Sequence, residues 1–97
     1  MPGLFFSWNE TKSENNAKKH GVTFDEAKSV FLDDYARVIP DPDHSDDEDR
    51  FIILGLSSAF RVLVVCHCYR EDDHNIRIIS ARKANNSEKK QYRDMKQ

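Results

Sequence analysis

The fold is decided by one stretch of the chain: Arg61-Val-Leu-Val-Val-Cys-His-Cys-Tyr-Arg70, the acidic Glu71-Asp-Asp-His74, and Asn75-Ile-Arg-Ile-Ile-Ser-Ala-Arg82. β-Branched and aromatic residues fill both arms, and a short polar cluster separates them, which predicts an antiparallel hairpin. A further apolar run, Arg50-Phe-Ile-Ile-Leu-Gly-Leu56, predicts another strand that is joined to the hairpin through Ser57-Ser-Ala-Phe60. These strands form the centre of the predicted sheet.

The pairing of these strands decides which side chains share a face, because side chains alternate along a strand and paired residues lie on the same side. Symmetric turns predict the pairs Cys66–Ile79, His67–Ile78, Ile52–Val65 and Arg50–His67. The predicted core face then carries Phe51, Ile53, Val62, Val64, Cys66, Ile79 and Ala81. The other face carries Arg50, His67, Tyr69, Ser80 and Arg82, with Glu48 just before the strand. We expect basic, imidazole and phenol groups to converge on that second face.

The remaining elements follow from local signals. Trp8 to His20 is predicted to be a helix that Gly21 ends. Thr23-Phe-Asp-Glu26 is typical of a capping box and predicts a second helix that ends by Asp33. Tyr35-Ala-Arg-Val-Ile39 predicts a short strand, and Asn85-Asn-Ser-Glu88 predicts the start of a last helix.

Together these elements predict one α+β domain over residues 1–97. It would contain two N-terminal helices, a four-stranded antiparallel sheet and a C-terminal helix, with the helices on one sheet face. No apolar signal region begins the chain and no stretch approaches the roughly 18 apolar residues of a membrane span. We therefore expect a cytoplasmic protein that does not enter a membrane.

Charge is distributed unevenly along the chain. The formal net charge of −2 argues against strong binding to nucleic acid by charge alone. Residues 1–60 hold six Lys or Arg against twelve Asp or Glu, a net of −6, and residues 61–97 hold nine against five, a net of +4. The C-terminal half is thus suited to an anionic ligand, although a solvated basic helix would give the same asymmetry.

The run Cys66-His67-Cys68 also suggests a metal site, but the interpretation we prefer is a pair of buried structural thiols. On a strand, His67 points away from the face that both cysteines share, and the sequence offers no second pair of ligands. Free cysteine is among the most often buried residue types.

A set of motifs spread over nearly the whole chain resembles the BrnT family of bacterial type II toxins. The matching segments are Trp8-Asn9 with Lys12, Asn16 and Lys19-His-Gly-Val22; Phe24-Asp-Glu-Ala27 and Phe31; Asp41-Pro-Asp-His-Ser45 with Glu48 and Arg50-Phe51; Gly55; and Arg77-Ile-Ile-Ser-Ala-Arg-Lys-Ala84 with Glu88 and Tyr92. The resemblance implies a RelE-like fold and a metal-independent ribonuclease that inhibits translation. It also implies a co-encoded BrnA-type antitoxin, which neutralises the toxin and binds operator DNA through its own domain. No cofactor is implied.

Residue roles combine these motif positions with the predicted strand register. The predicted catalytic residues are His44, Glu48, Arg50, His67, Arg77 and Arg82, and the predicted RNA-binding residues are Lys19, Tyr69, Ser80, Lys83 and Tyr92. Cleavage of RNA without a metal requires a base for the 2′-hydroxyl, an acid for the leaving oxygen and cations for the phosphorane. We assign Arg50 and Arg82 to the phosphate, Glu48 or His67 to acid–base work with His44 as the alternative, and Tyr69 or Tyr92 to base stacking.

Other interpretations remain open at this point. His67 would equally suit a half-buried position in a central strand, and Arg50 and Arg82 would suit ion pairs with the acidic loop at 44–49. At the level of function, the alternatives are an inactive toxin homologue that serves as an interaction or repressor module, a direct nucleic-acid binder, and a metal protein.

Overall fold

A computed structural model describes residues 3–41 and 49–96. The elements in those residues are β1 (Phe5–Ser7), α1 (Glu10–His20), α2 (Phe24–Ser29), a 3₁₀ turn (Val30–Leu32), β2 (Arg37–Pro40), β3 (Phe51–Leu56), β4 (Val62–Arg70), β5 (Asp72–Lys83) and α3 (Asn86–Met95). None of the helices in these residues is long and apolar enough to cross a membrane.

The strands form a single mixed sheet with the order β1-β5-β4-β3-β2. The α+β class is confirmed, but the predicted four-stranded antiparallel sheet is wrong, because β1 adds a fifth strand that runs parallel to β5. The new strand pairs Phe5 with Asn75 and Ser7 with Arg77. A strand of three residues is too short to produce a recognisable alternation in the sequence.

The first helix begins two residues later than predicted. The side chain of Asn9 accepts a hydrogen bond from the backbone amide of Lys12 at 3.1 Å, which makes Asn9 the N-cap. Gly21 ends the helix with a φ of 69°, a left-handed conformation that glycine adopts without strain. Trp8 lies before the helix and packs edge-on against Phe24, with 5.9 Å between ring centroids.

The second helix is capped only in part as predicted. Thr23 accepts from the amide of Glu26 at 3.1 Å. The Glu26 carboxylate does not complete a capping box; it accepts from Ser57 Oγ at 2.7 Å and from Arg61 Nε at 2.9 Å. This ion pair ties α2 to the connection between β3 and β4, and it holds the pKa of Glu26 below its usual value.

Helices α1 and α2 cover one face of the sheet and enclose the core. The buried core residues are Val22, Phe24, Ala27, Val30, Ile53, Leu63, Val65, Ile76, Ile78 and Ala81. Complete burial of one large aliphatic or aromatic side chain contributes about 1.5–3 kcal/mol. Burial of this cluster therefore stabilises the packing of the helices on the sheet.

The strand register differs from the prediction by one residue over much of the sheet. The observed pairs are Phe51–His67, Ile52–Cys66, Ile53–Val65, Cys66–Ser80 and His67–Ile78. Only the predicted His67–Ile78 pair is confirmed. An irregularity between Cys66 and His67 leaves Ile79 as an extra residue in β5. A bulge of this kind shifts every pair beyond it by one position.

The shift between β3 and β4 exchanges the two faces of β4, because it pairs His67 with Phe51 and not with Arg50. His67 is 0% exposed and packs against Phe31 of the 3₁₀ turn, on the same side of β4 as the buried Val65 and Leu63, so its predicted place on the open face is wrong. Val64, Cys66 and Ile79, predicted to be core residues, instead line hollows on the opposite face. Ile53 and Ala81 are buried, as predicted.

Helix α3 does not join the other helices, so the prediction that all helices cover one face is wrong. It begins with a complete capping box between Asn85 and Glu88. Tyr92 is 3% exposed and donates a hydrogen bond of 2.6 Å to Asp33, which also accepts from the amide of Leu56 at 2.8 Å. These bonds hold α3 beside β3, where it flanks the sheet face that α1 and α2 leave uncovered.

Candidate functional site

The sheet face opposite α1 and α2, called the open face here, contains two adjoining hollows. The larger one, the α3 groove, has a volume of about 560 Å³ and lies between the sheet and α3. The smaller one, the Arg82 cavity, has a volume of about 340 Å³. Both include Ile52, Val64 and Arg82 in their walls, so Arg82 stands where the two hollows meet.

The α3 groove has an apolar floor and a polar rim. Its floor is formed by Ile39, Ile52, Leu54 and Val64 from the sheet, and its rim by Arg37, Arg82, Glu88, Gln91 and Asp94, with Met95 at one end. A concave surface with an apolar floor and a few polar groups is typical of a ligand or partner site.

The Arg82 cavity concentrates the titratable groups of the open face. Its polar lining is His20, Asp41, Arg50, Cys66, Ser80 and Arg82. Three of these residues, Arg50, Ser80 and Arg82, were predicted to converge, and the structure brings them together. The prediction succeeds for them because the one-residue shift between β3 and β4 and the bulge in β5 cancel, which leaves Ser80 and Arg82 on the same face as Arg50.

Arg82 is held in a bidentate ion pair. Its Nη1 donates to Glu88 Oε1 at 2.8 Å and its Nη2 donates to Oε2 at 2.9 Å. This pairing raises the pKa of Arg82 and lowers the pKa of Glu88. The guanidinium side chain nevertheless remains 44% exposed, so it presents a fixed positive group to the cavity.

Asp41 and Cys66 form the inner wall of the cavity. Asp41 is only 6% exposed, and the Cys66 thiol donates to its carboxylate at 3.7 Å. Burial, reinforced by the negative charge of Asp41, raises the pKa of Cys66 to about 11 against a weaker opposite effect of Arg50. Cys66 is therefore a protonated thiol at neutral pH and is not suited to nucleophilic attack.

Several predicted site residues lie elsewhere. His67 is enclosed by aromatic rings on the core side, the nearest being Phe31 at 4.8 Å, and burial lowers its pKa. Tyr69 lies beside it, with its hydroxyl 3.4 Å from His67 Nε2. Tyr92 points its hydroxyl at Asp33 inside the protein. The structure thus does not bring these three rings to the open face.

The predicted basic residues are divided between different surfaces. Lys83 Nζ lies 4.0 Å from the position a Cβ on Gly21 would occupy, so it lies near the C-terminal end of α1. Lys19 is an exposed residue of the same helical turn. Arg77 pairs with Cys68 and alternates with the buried Ile76 and Ile78, which puts it on the open face beyond the bulge. His44 and Glu48, predicted to be catalytic, lie outside the described residues.

The Cys66-His67-Cys68 metal interpretation is not favoured by this geometry. The imidazole of His67 points into the core, whereas Cys66 lines the opposite face. Within residues 3–41 and 49–96, no group of three or more His, Cys, Asp or Glu side chains is arranged to hold a metal ion.

The structure adds residues that the sequence did not single out as site residues, namely His20, Arg37, Asp41 and Gln91. Of these, His20 had a usable signal. It stands inside the Lys19-His-Gly-Val22 motif, directly before the glycine that ends α1. Asp41 likewise begins the Asp41-Pro-Asp-His-Ser45 motif. Arg37 and Gln91 depend on the position of β2 and α3 relative to the open face, which no local pattern encodes.

The fold and the site define a small α+β domain with helices on one sheet face and an arginine-containing cavity on the other. Comparison with protein families then identifies the class. The model of the family described as the ribonuclease toxin BrnT of type II toxin–antitoxin systems matches residues 8–88. Because this match covers well over half of the chain, the chain belongs to the BrnT family of ribonuclease toxins, as the resemblance of its motifs implied.

A solved structure supports the same fold. The crystal structure of the Brucella abortus ribonuclease toxin BrnT is similar to this chain with a TM-score of 0.64 and 22% sequence identity, over 86% of this chain and 99% of that one. A search of curated proteins found no significant match. Membership in a type II toxin–antitoxin family also implies an antitoxin partner.

Proposed function

We propose that the open face is where this toxin binds and cleaves RNA, with Arg82 and Arg50 holding the scissile phosphate. The observation that carries the proposal is the position of Arg82: it stands where the Arg82 cavity and the α3 groove meet, partly exposed and fixed by Glu88. A fixed, permanently charged guanidinium is suited to the negative charge that develops on a phosphorane.

The two hollows would bind different parts of the RNA. The cavity of about 340 Å³ is of a size to enclose one phosphate with its sugar, and Ser80 offers a hydroxyl beside the arginines. The α3 groove continues from it and would hold the neighbouring nucleotide against its apolar floor. Cleavage at this site requires no metal ion in our proposal. The loss of RNA would inhibit translation in the cytoplasm.

The antitoxin would act by covering the same surface. The apolar floor of the α3 groove is suited to the apolar face of an amphipathic segment. The rim carries two arginines, Arg37 and Arg82, and two carboxylates, Glu88 and Asp94, so a segment with both acidic and basic residues would be complementary to it. Operator DNA would be bound by the antitoxin in this complex. A structure of the complex in which the groove and Arg82 remain open to solvent would contradict this part of the proposal.

The test is cleavage of an oligoribonucleotide by the purified chain in the presence of EDTA. The wild type should cleave, and Arg82→Gln should reduce kcat at least about 100-fold, the usual cost of removing one charge-stabilising group. Arg93→Gln is the matched control, because it removes the same charge from an exposed position on α3 that does not line the groove. Full activity of Arg82→Gln would overturn the site, and cleavage that EDTA abolishes and Mg²⁺ restores would overturn the metal-independent reaction.

A second candidate function is favoured by two observations. Glu88 neutralises Arg82 in the free protein, and the chain as a whole is slightly acidic. An inactive homologue that only binds its antitoxin would show this pattern as well. Tight antitoxin binding by a chain that neither cleaves RNA nor arrests growth would establish it.

A further inference from the structure

The proposed site needs a group that transfers protons, and the arginines cannot serve, because a guanidinium stays protonated at any physiological pH. Of the histidines in the part of the chain that the structure describes, His67 is enclosed on the core side and His74 is an exposed residue in the first half of β5, outside both hollows. His20 is the one that lines the Arg82 cavity. We propose that His20 is a catalytic acid–base residue of this toxin, an inference that rests on the proposed function of the open face.

The end of α1 reaches the open face because the C-terminal part of β5, residues 78–83, pairs with no strand on the edge opposite β4. β1 pairs only with Asn75 to Arg77. Beyond those residues the outer edge of β5 is met by the last turns of α1. His20, the final residue of the helix, therefore lines the cavity around the strand edge, together with Ser80 and Arg82.

A buried asparagine fixes this position. Asn16 is 8% exposed and lies one helical turn before His20. Its Nδ2 donates to the carbonyl of Ala81 at 2.9 Å, and its Oδ1 accepts from the amide of Ala81 at 3.1 Å. The side-chain amide thus takes the place of a neighbouring strand, at the residue between Ser80 and Arg82.

The same Asn16 amide also ties down the chain just after the helix. Nδ2 donates a second bond to the carbonyl of Val22 at 2.9 Å, so both of its hydrogens are used. Arg61 donates to the carbonyl of Gly21 at 3.0 Å. His20 is held between these fixed points, which limits the movement of its backbone. A catalytic group must be held in this way to reach the same proton in each turnover.

The chemistry is the ordinary transesterification of RNA. The 2′-hydroxyl loses its proton to a base, O2′ forms a bond to phosphorus, and the P–O5′ bond breaks as the 5′ oxygen gains a proton. The products are a 2′,3′-cyclic phosphate and a 5′-hydroxyl, and no electron donor or acceptor is needed. His20 transfers one of the two protons and the other is exchanged with water, while Arg82 and Arg50 stabilise the charge on the phosphorane.

The experiment compares four proteins on one oligoribonucleotide: wild type, His20→Gln, Arg82→Gln and the control His74→Gln. His20→Gln should lower kcat about 10²- to 10⁴-fold, the usual contribution of acid–base catalysis. Its affinity for the same oligonucleotide with 2′-O-methyl groups, which cannot react, should stay within about twofold of wild type. His74→Gln should match wild type in both measurements, because His74 is exposed and lies outside both hollows.

Two further readouts separate proton transfer from a structural role. Added imidazole should restore part of the cleavage activity of a further variant, His20→Ala. In His20→Gln, the plot of cleavage rate against pH should lose either its rise or its fall, whichever depends on this residue. A folded His20→Gln that cleaves at the wild-type rate, or one that loses 2′-O-methyl RNA binding as well, would overturn the assignment. If His20→Gln does not cleave the oligoribonucleotide while Arg82→Gln cleaves it normally, the proposed arginine site is wrong, but the catalytic role of His20 is supported. If the wild type itself does not cleave, both proposals fall together.

Discussion

Arg82 and Glu88 are joined across the junction of β5 and α3 by two parallel hydrogen bonds of 2.8 and 2.9 Å. Glu88 Oε1 also accepts from the backbone amide of Asn85 at 2.9 Å, so the same carboxylate closes the capping box of α3. One side chain therefore starts a helix and orients the central cation of the open face. A phosphate that binds Arg82 must compete with this carboxylate.

The competition predicts that Glu88→Gln binds RNA more tightly than wild type. Glutamine retains the hydrogen bond to the N-cap amide, so α3 should still form. The negative charge that Glu88 places beside Arg82 is removed. We expect Kd for a 2′-O-methyl oligonucleotide to fall about two- to fivefold, because an exposed ion pair contributes only about 0–1 kcal/mol. The slope of log Kd against log salt should steepen by about 0.7, the value for one further phosphate contact on a single strand.

Glu14→Gln is the control for that measurement. It makes the same change in net charge at an exposed position on α1, on the other side of the sheet. We expect a smaller gain in affinity and an unchanged salt slope. Equal effects of the two variants would mean that net charge, and not release of Arg82, controls RNA binding.

The buried imidazole of His67 predicts a loss of stability in mild acid. Burial lowers its pKa below the ordinary value of 6.5, so the unfolded chain takes up the proton more readily than the folded one. Stability should therefore be full above about pH 6.5 and decline as the pH falls toward the folded pKa, by at most about 1.4 kcal/mol per pH unit. Urea unfolding at pH 7 and pH 5 should show this decline in wild type and a smaller one in His67→Phe.

The pH range of the decline, between pH 7 and pH 5, distinguishes the effect of His67 from that of the carboxylates. Glu26 and Glu88 have lowered pKa values, so their contribution to stability is present above the ordinary value of 4.5 and is lost only below it. His74→Gln serves as the control for an exposed imidazole. An unchanged decline between pH 7 and pH 5 in His67→Phe would show that another group causes it.

The burial of His67 is a feature that the sequence alone did not predict. Three helix ends were predictable because their signals are local: Gly21 ends α1, Thr23 caps α2, and Asn85 with Glu88 caps α3. The start of α1 at Glu10 was predicted two residues too early. The faces of β4 were not predictable in this way. They depend on the pairing of β3 with β4, which is shifted by one residue along its whole length because five residues, 57–61, connect these strands and not the four predicted. No local pattern in the sequence marks that additional loop residue.

The candidate site was predictable to a similar extent. Arg50, Ser80 and Arg82 were placed correctly, because both predicted and observed registers put them on one face. His20 was missed as a site residue because its place in the cavity depends on the Asn16–Ala81 contact, which joins residues 65 positions apart. The path of α3 depends on the similarly distant bond between Tyr92 and Asp33.

That bond supports a prediction about the docking of α3. Burial alone would raise the pKa of Asp33, but hydrogen bonds from Tyr92 and from the amides of Leu56 and Tyr35 outweigh it and hold the pKa below its usual value. Tyr92→Phe removes one hydrogen bond to a carboxylate, which is worth about 1.5–3 kcal/mol. We expect a loss of that size in urea unfolding. Tyr35→Phe, at a ring that is 52% exposed, should cost less than about 0.5 kcal/mol.

Equal losses in the two tyrosine variants would contradict the special role of Tyr92. The Tyr92→Phe variant also tests whether Tyr92 contributes to RNA binding. If Tyr92 serves to dock α3, Tyr92→Phe should leave Kd for 2′-O-methyl RNA unchanged in the folded fraction, because its ring is buried and does not line the α3 groove.

The sheet packs closely against the segment after α2 at Gly55. A Cβ at this position would lie 2.7 Å from Val30 Cγ1 and 2.8 Å from the Cβ of Ala36. Both distances are too short for carbon atoms in contact, so Gly55→Ala should force β3 and the 3₁₀ turn apart. We expect it to lower the free energy of unfolding by about 1–3 kcal/mol, the usual cost of overpacking a core. Gly3→Ala, which meets nothing within 4 Å, should be nearly neutral.

A double-mutant cycle with Val30→Ala tests the cause of that loss. Val30→Ala alone removes buried methyl groups and should destabilise the protein, but it also removes the Cγ1 atom that a Cβ on Gly55 would strike. The combined variant should therefore be more stable than the sum of the single losses predicts, by about 0.5 kcal/mol or more. Strict additivity would show that the clash with Val30 is not what excludes a side chain at Gly55, and that the contact with Ala36 or the backbone of β3 itself is responsible.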